Sequence, residues 1–211
     1  MSDECQKIHE LVGNLKRHKF PFDNSEIPQN GIYLLFEKNE NGHEQERIVR
    51  VGTHTGENQL CSRLKQHFLN ENKDRSIFRK NIGRALLNKN NDSFLPFWQL
   101  DLTSRRAREK YSSKIDFEYQ KQIEIQVSKY IRNNFSFCVF EVQRKKERLE
   151  IEAKIISTVS WCNECSQSPN WLGNFSPKKK IVQSGLWLVN ELYKTPFDAT
   201  GLAKLEKLIE S

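Results

Sequence analysis

No apolar run in this chain approaches the ~20 residues that span a bilayer, so a membrane-crossing helix is not expected. The first ten residues, MSDECQKIHE, lack the basic start and apolar stretch of a secretory leader, and none is expected. The five cysteines are odd in number and irregularly spaced, which argues against a disulfide framework and for a reducing, cytoplasmic setting. There is no internal repeat and no low-complexity tract, which sets aside solenoids and disordered tails. What remains is a chain of 211 residues, 36% hydrophobic, long enough for one sizeable core with an appended subdomain.

The charge is unbalanced, at +7, with a pI near 9.1. Such a surface attracts polyanions. Residues 71–133 hold 14 Lys and Arg against 8 Asp and Glu, a surplus that accounts for nearly the whole imbalance. The densest part is Arg105, Arg106, Arg108, Lys110 and Lys114, broken by Glu109.

Apolar periodicity places a short amphipathic helix at 3–18, followed by a linker bracketed by Pro21 and Pro28. A strand at 31–37 turns Ile32, Leu34 and Phe36 to one side and Tyr33 and Leu35 to the other. Asn41-Gly42 signals a hairpin, with the return strand at about 46–53. A helix at 57–70 carries Leu60, Cys61, Leu64 and Phe68 in one arc, with Arg63 and His67 together on its border. Further helices are expected near 77–89 and 116–132. A strand at 135–142, FSFCVFEV, is apolar on both faces and is expected to be covered on both. A helix at 145–159, a Ser/Pro/Asn/Gly-rich loop to about 177 and helices near 181–193 and 199–210 complete the chain.

One carboxylate is out of place. In the 145–159 helix, Leu149, Ile151, Ala153, Ile155, Ile156 and Val159 define an apolar arc, and Glu152 projects into its middle. A buried, unpartnered carboxylate is expensive, so it pairs, protonates or holds a cation. Periodicity leaves two readings open: a structural ion pair with a core arginine, or a metal ligand at the rim of a cleft.

Five features in order resemble the GIY-YIG nuclease superfamily. Gly31-Ile32-Tyr33 begins the first strand, and Arg50-Val51-Gly52 closes the second where the YIG half should stand. Arg63 follows on a helix, Glu152 on a later helix, and Pro169-Asn170 in a loop. The match covers about 30–70 and 134–176, and leaves 1–29, 71–133 and the C-terminal helices unexplained. The resemblance implies an α/β (α+β) fold, a three-stranded antiparallel sheet flanked by helices, with a helical insertion. Residues 1–29 would be an N-terminal helix and linker, 30–177 the nuclease-like domain with the insertion at about 71–133, and 178–211 C-terminal helices on the same domain.

It also implies roles. Tyr33 would deprotonate or orient the attacking water, Arg63 would bind the scissile phosphate, Glu152 would hold a single Mg²⁺ or Mn²⁺, and Asn170 would help shape the site. These residue types fit the chemistry: a hard cation takes oxygen ligands and keeps waters, and a guanidinium matches phosphate. Arg50 replaces the second signature tyrosine, which weakens catalysis or supplies a phosphate contact. His54, just past Gly52, would accept a proton from Tyr33 or be a plain loop histidine. His67 reads as a helix-border residue packing on the sheet, with phosphate contact as the alternative.

Cys162-Asn163-Glu164-Cys165 is a C-x-x-C pair, but structural zinc needs four ligands and no second half is evident nearby in sequence. These read as loop cysteines, with a zinc or redox role as the alternative. Trp171 and Phe175 read as packing, and Asn174 as a second choice to Asn170. Arg105, Arg106, Arg108 and Lys110 would contact the DNA backbone, or else form a solvated helix face. The function expected is a metal-dependent endonuclease on double-stranded DNA, of the restriction or defence kind. The alternatives are a non-catalytic DNA-binding module and an RNA-directed nuclease. A homodimer would suit symmetric sites.

Overall fold

The structure is a computed structural model and describes residues 2–210. Its elements run α1 (Ser2–Gly13), β1 (His18–Lys19), β2 (Gly31–Gly42), β3 (Gln45–Gly52), α2 (Leu60–Phe68), α3 (Ile77–Lys89), α4 (Leu95–Gln99), α5 (Arg105–Tyr111), α6 (Phe117–Asn134), β4 (Phe135–Glu141), α7 (Lys145–Ser160), α8 (Lys179–Ser184) and α9 (Ala199–Ile209). Most of the expected elements stand where periodicity put them. Side-chain caps fix several starts: Ser76 accepts from the Arg79 N–H at α3, Ser104 from Ala107 at α5, and Asp116 from Tyr119 at α6.

The sheet has four strands, not three, in the order β1-β4-β2-β3, all antiparallel. The extra strand is a two-residue stretch in which His18 and Lys19 pair with Phe137 and Ser136 of β4. It is too short to leave a period-two signature, and it covers part of an otherwise open edge. The first helix ends at Gly13, which frees the following residues to reach that edge.

The alternation along β2 divides the interior in two. Tyr33 and Leu35, with Val49, Phe135 and Phe137, pack beneath α2, α3 and α6. Ile32, Leu34 and Phe36, with Ile48, Val51, Cys138 and Phe140, pack against α1, α7 and α9. Both chain ends therefore lie on the second face, and β4 is covered on both sides as its composition requires. A register shift between Leu35 and Phe36 sets Arg50 opposite Leu35 and Gly52 opposite Tyr33, so Arg50 joins Tyr33 on the first face.

The helix expected at 181–193 stops at Ser184, because Gly185 takes a left-handed conformation (φ 67°) and ends α8. The chain then runs along the outer edge of β3, where the Trp187 N–H donates to the Val49 carbonyl at 2.8 Å. Much of the charge in 71–133 is turned inward. Arg79 holds Glu124 at 2.6 Å and also reaches the His67 carbonyl, while Lys73 and Lys80 share Asp74. A cation buried with one carboxylate leaves an uncompensated charge when its partner is removed. We therefore expect Glu124→Ala to cost about 3–5 kcal/mol in urea denaturation, and Arg79→Met with Glu124→Leu to recover most of that stability.

Candidate active site

Tyr33 stands near the start of β2, fully buried, with its ring over Gly52; a Cβ at Gly52 would lie 2.2 Å from the phenol oxygen. Only glycine tolerates that approach. The Tyr33 Oη lies 2.7 Å from His67 Nε2, and His67 Nδ1 lies 2.7 Å from Ser76 Oγ, the residue that caps α3. His67 is also fully buried. Desolvation, then the charges of Arg63, Arg50 and Arg79, hold its pKa well below the usual 6.5. The imidazole is therefore neutral. In the tautomer that donates Nδ1–H to Ser76, Nε2 accepts from the phenol.

These contacts choose between the readings left open for two histidines: His67 packs on the sheet as its leading reading had it, and His54 is a loop histidine. His67 does not reach a phosphate, since both ring nitrogens are engaged inside the core. His54 does not serve Tyr33: its Nε2 accepts the Gly31 N–H at 3.3 Å and its Nδ1 donates to the Gly56 carbonyl at 2.8 Å. It braces the loop after β3 against the start of β2, aided by Arg148, which also donates to Gly56.

Arg63 is half-buried on α2, steadied by Gln66 at 2.8 Å and the Arg75 carbonyl at 3.2 Å. It lines a cleft of about 350 Å³ with Thr53, His54, Gln59 and Ser62. Glu152 is half-buried in the adjoining cleft of about 300 Å³, with Arg50, Asn81, Asn190 and Glu191. Burial pushes its carboxyl above the usual range; Arg50, a Thr53 backbone hydrogen bond and Arg63 oppose this, and Glu191 adds to it. Among the described residues it makes no ion pair within 4.0 Å. Arg50 donates to the Trp187 carbonyl at 2.5 Å and faces the Phe78 ring at 5.3 Å. Both Arg50 and Arg63 thus act electrostatically on the acid and on the imidazole, while Arg63 and Glu152 line different clefts and Tyr33 and His67 line neither.

Asn170 is not part of this group. It sits on an exposed turn beside Ser168, whose N–H donates to Glu40 near the opposite end of β2, roughly 20 Å along the strand from Tyr33. Asn190 stands in the cleft instead, and no spacing rule in the sequence points to it. Arg105, Arg106, Arg108 and Lys110 lie exposed on α5, where Arg105 pairs with Glu109 at 2.8 Å, and they line neither cleft. A cation run that composition by segment does not single out, Lys178-Lys179-Lys180, lines a groove of about 350 Å³ with Arg84. That groove shares Ile77, Asn81 and Val189 with the Glu152 cleft, so the two are continuous.

A family profile described as a GIY-YIG domain matches residues 3–211. The chain belongs to the GIY-YIG family. The match takes in the first helix, residues 71–133 and the C-terminal helices, which the motif resemblance alone left unexplained. GIY-YIG membership carries a nuclease-type function in general terms. No curated protein and no solved structure matches the chain.

Burial lowers the pKa of His67, and of His54 and His18 with it. As pH falls through about 6.5 the unfolded chain takes up protons that the folded chain refuses, so their contribution to stability is present above that value and disappears below it. We expect stability to fall from pH 7 to pH 5, and His67→Gln to flatten the dependence by up to about 1.4 kcal/mol per pH unit. Denaturant midpoints measured across that range for both proteins check this; identical slopes would contradict a neutral buried His67.

Proposed function

We propose that this GIY-YIG protein is a divalent-metal-dependent endonuclease that hydrolyses phosphodiester bonds in double-stranded DNA. The observation that carries the reading is that Arg50 and Arg63 are common neighbours of the Glu152 carboxylate and the Tyr33–His67 pair. Such a constellation suits an anionic phosphodiester beside a cation.

Among the described residues Glu152 makes no ion pair within 4.0 Å, and it has Glu191 nearby and Asn190 as a neutral oxygen donor. That donor set fits Mg²⁺ or Mn²⁺, one ion per site, better than a softer metal. When bound, such an ion would supply positive charge at the scissile phosphate. Arg63 presents guanidinium donors to the non-bridging oxygens, and Arg50 adds charge from the floor of the cleft. Tyr33 and His67 are fully buried and line neither cleft, so their 2.7 Å contact stiffens the end of β2 beside Arg50 and does not meet the attacking water. The groove of Lys178, Lys179, Lys180 and Arg84 extends from the cleft and supports a path for the DNA backbone.

Supercoiled plasmid should be nicked or linearised with Mg²⁺ or Mn²⁺ and left intact with EDTA. Arg63→Ala and Glu152→Gln should each slow cutting by about 10²–10³-fold. Glu152→Gln should melt no lower than the parent, because it removes a carboxylate that folding desolvates. DNA binding without cutting in every metal would instead favour a binding module, for which the arginine in place of the signature tyrosine is the argument. Cutting of RNA alone would favour the third reading.

The groove has its own test. Replacing Lys178, Lys179 and Lys180 by alanine should lower the slope of log affinity against log salt by about 0.9 for each phosphate that is no longer neutralised. Neutralising Arg105, Arg106 and Arg108 should change it less. The reverse order would move the DNA path to α5.

A further inference from the structure

On the sheet face opposite Tyr33, three distant parts of the chain bring soft donors together. Cys5 comes from α1, His43 from the β2–β3 turn, and Cys162 and Cys165 from the loop after α7. The Cys5 and Cys165 sulfurs are 3.6 Å apart, and His43 Nε2 is 3.3 Å from the Cys162 sulfur. The donor atoms of Cys5, His43 and Cys165 all lie within 4.8 Å of one another. Around a tetrahedral zinc with bonds of about 2.3 Å to sulfur and 2.0 Å to nitrogen, neighbouring donors stand about 3.5–3.8 Å apart. The Cys5–Cys165 and His43–Cys162 pairs are already near that spacing.

His9 lies in the same cluster, but its nitrogens are in use. Nδ1 contacts the Cys5 carbonyl at 2.9 Å and Nε2 accepts the Ile48 N–H at 3.2 Å. His43 differs. Its Nε2 faces the Cys162 sulfur, and Nδ1, on the other side of the ring, lies 3.6 Å from a Glu164 carboxylate oxygen, with no protein group hydrogen-bonded to it among the described contacts. Its side chain is only 3% exposed although it sits on a turn, at a left-handed φ of 51°. Gly42 leaves room for the pair of loops, since a Cβ there would stand 3.0 Å from the Cys165 sulfur. The three cysteines are buried, and their thiols are free. At 3.6 Å the Cys5 and Cys165 sulfurs are too far apart for a bond of about 2.05 Å.

We propose that Cys5, His43, Cys162 and Cys165 bind one structural zinc ion. The Cys162-x-x-Cys165 pair lacks a partner pair in sequence because its other two ligands come from an N-terminal helix and a hairpin turn. The ion joins α1, the β2–β3 hairpin and the C-terminal end of α7. With four protein ligands it keeps no open coordination position for chemistry, and it is independent of the Glu152 site.

The full-length protein, purified without chelator, should contain one zinc per chain by elemental analysis. Exchange for Co²⁺ should give tetrahedral d–d bands in the visible and a thiolate-to-cobalt charge-transfer band in the near-ultraviolet. Cys165→Ser and His43→Ala should each lose the metal or the tetrahedral spectrum, while Glu152→Gln keeps both. Should either cysteine or histidine variant unfold, the wild-type cobalt spectrum decides alone. A folded wild-type chain that takes up neither zinc nor cobalt overturns the proposal, as does a Cys5–Cys165 disulfide in non-reduced peptide mass spectra.

Discussion

The candidate site depends on a buried guanidinium. Arg50 stands on the edge strand β3, 4% exposed, where the helices on the two sheet faces meet. Burying a cation is costly, and here the cost is offset from several sides: the Trp187 carbonyl, the Phe78 ring and the Glu152 carboxylate. The C-terminal segment is bound to β3 by the same contacts, since Trp187 gives its N–H to Val49 and its carbonyl to Arg50. Removing Arg50 would therefore loosen the segment that carries Asn190 and Glu191 as well as change the charge of the cleft. A tyrosine in its place could donate one hydrogen bond but could not carry a charge to both His67 and Glu152.

How much of this was legible in the sequence follows from the distance over which each signal acts. Tyr33, Arg63 and Glu152 stand on elements whose periods are visible, and the order of strand, strand, helix and helix is kept. His67 lies four residues from Arg63 on the same helix, so its proximity to Arg63 could be read. Its contact with Tyr33 could not, because that contact depends on how α2 sits over β2. Asn170 was expected at the site and stands away from it, while Asn190, which no sequence signal singled out, lines the cleft: loops have no period, and both asparagines follow Glu152. The early end of α8 was legible, since Gly185 follows Ser184 as a stop signal. The cysteine cluster was not, because Cys5 and Cys165 are joined only by the packing of α1 against the sheet.

The basic segment 71–133 shows a related limit to counting charge. A surplus of cations in 71–133 reads as a surface for polyanions, yet Arg79, Lys73 and Lys80 are engaged by internal acids, and Arg132 by the Phe68 carbonyl. Arg79 even supports the site from behind, by holding the carbonyl of His67. The cations that remain beside the cleft come from outside the insertion, in Lys178–Lys180, apart from Arg84. Net charge by segment therefore overstates what a segment offers to solvent, because sequence does not reveal which cations have partners.

The central question left by periodicity was whether an acid in an apolar stripe marks a structural pair or a ligand site, and the other buried acids of this protein supply the comparison. Glu124 is locked to Arg79 at 2.6 Å. Glu37 receives the Trp171 and Trp187 indole N–H groups at 2.7 and 2.8 Å and the Tyr130 hydroxyl, so neutral donors saturate it and join the insertion, the 166–176 loop and the C-terminal segment to β2. Each of these acids has its oxygens filled by the protein. Glu152 does not: its close hydrogen bond is one backbone N–H, its arginines act at longer range, and it opens on a cleft. Of the carboxylates compared, Glu152 is the one that faces open space, and that is why the proposed metal is placed there.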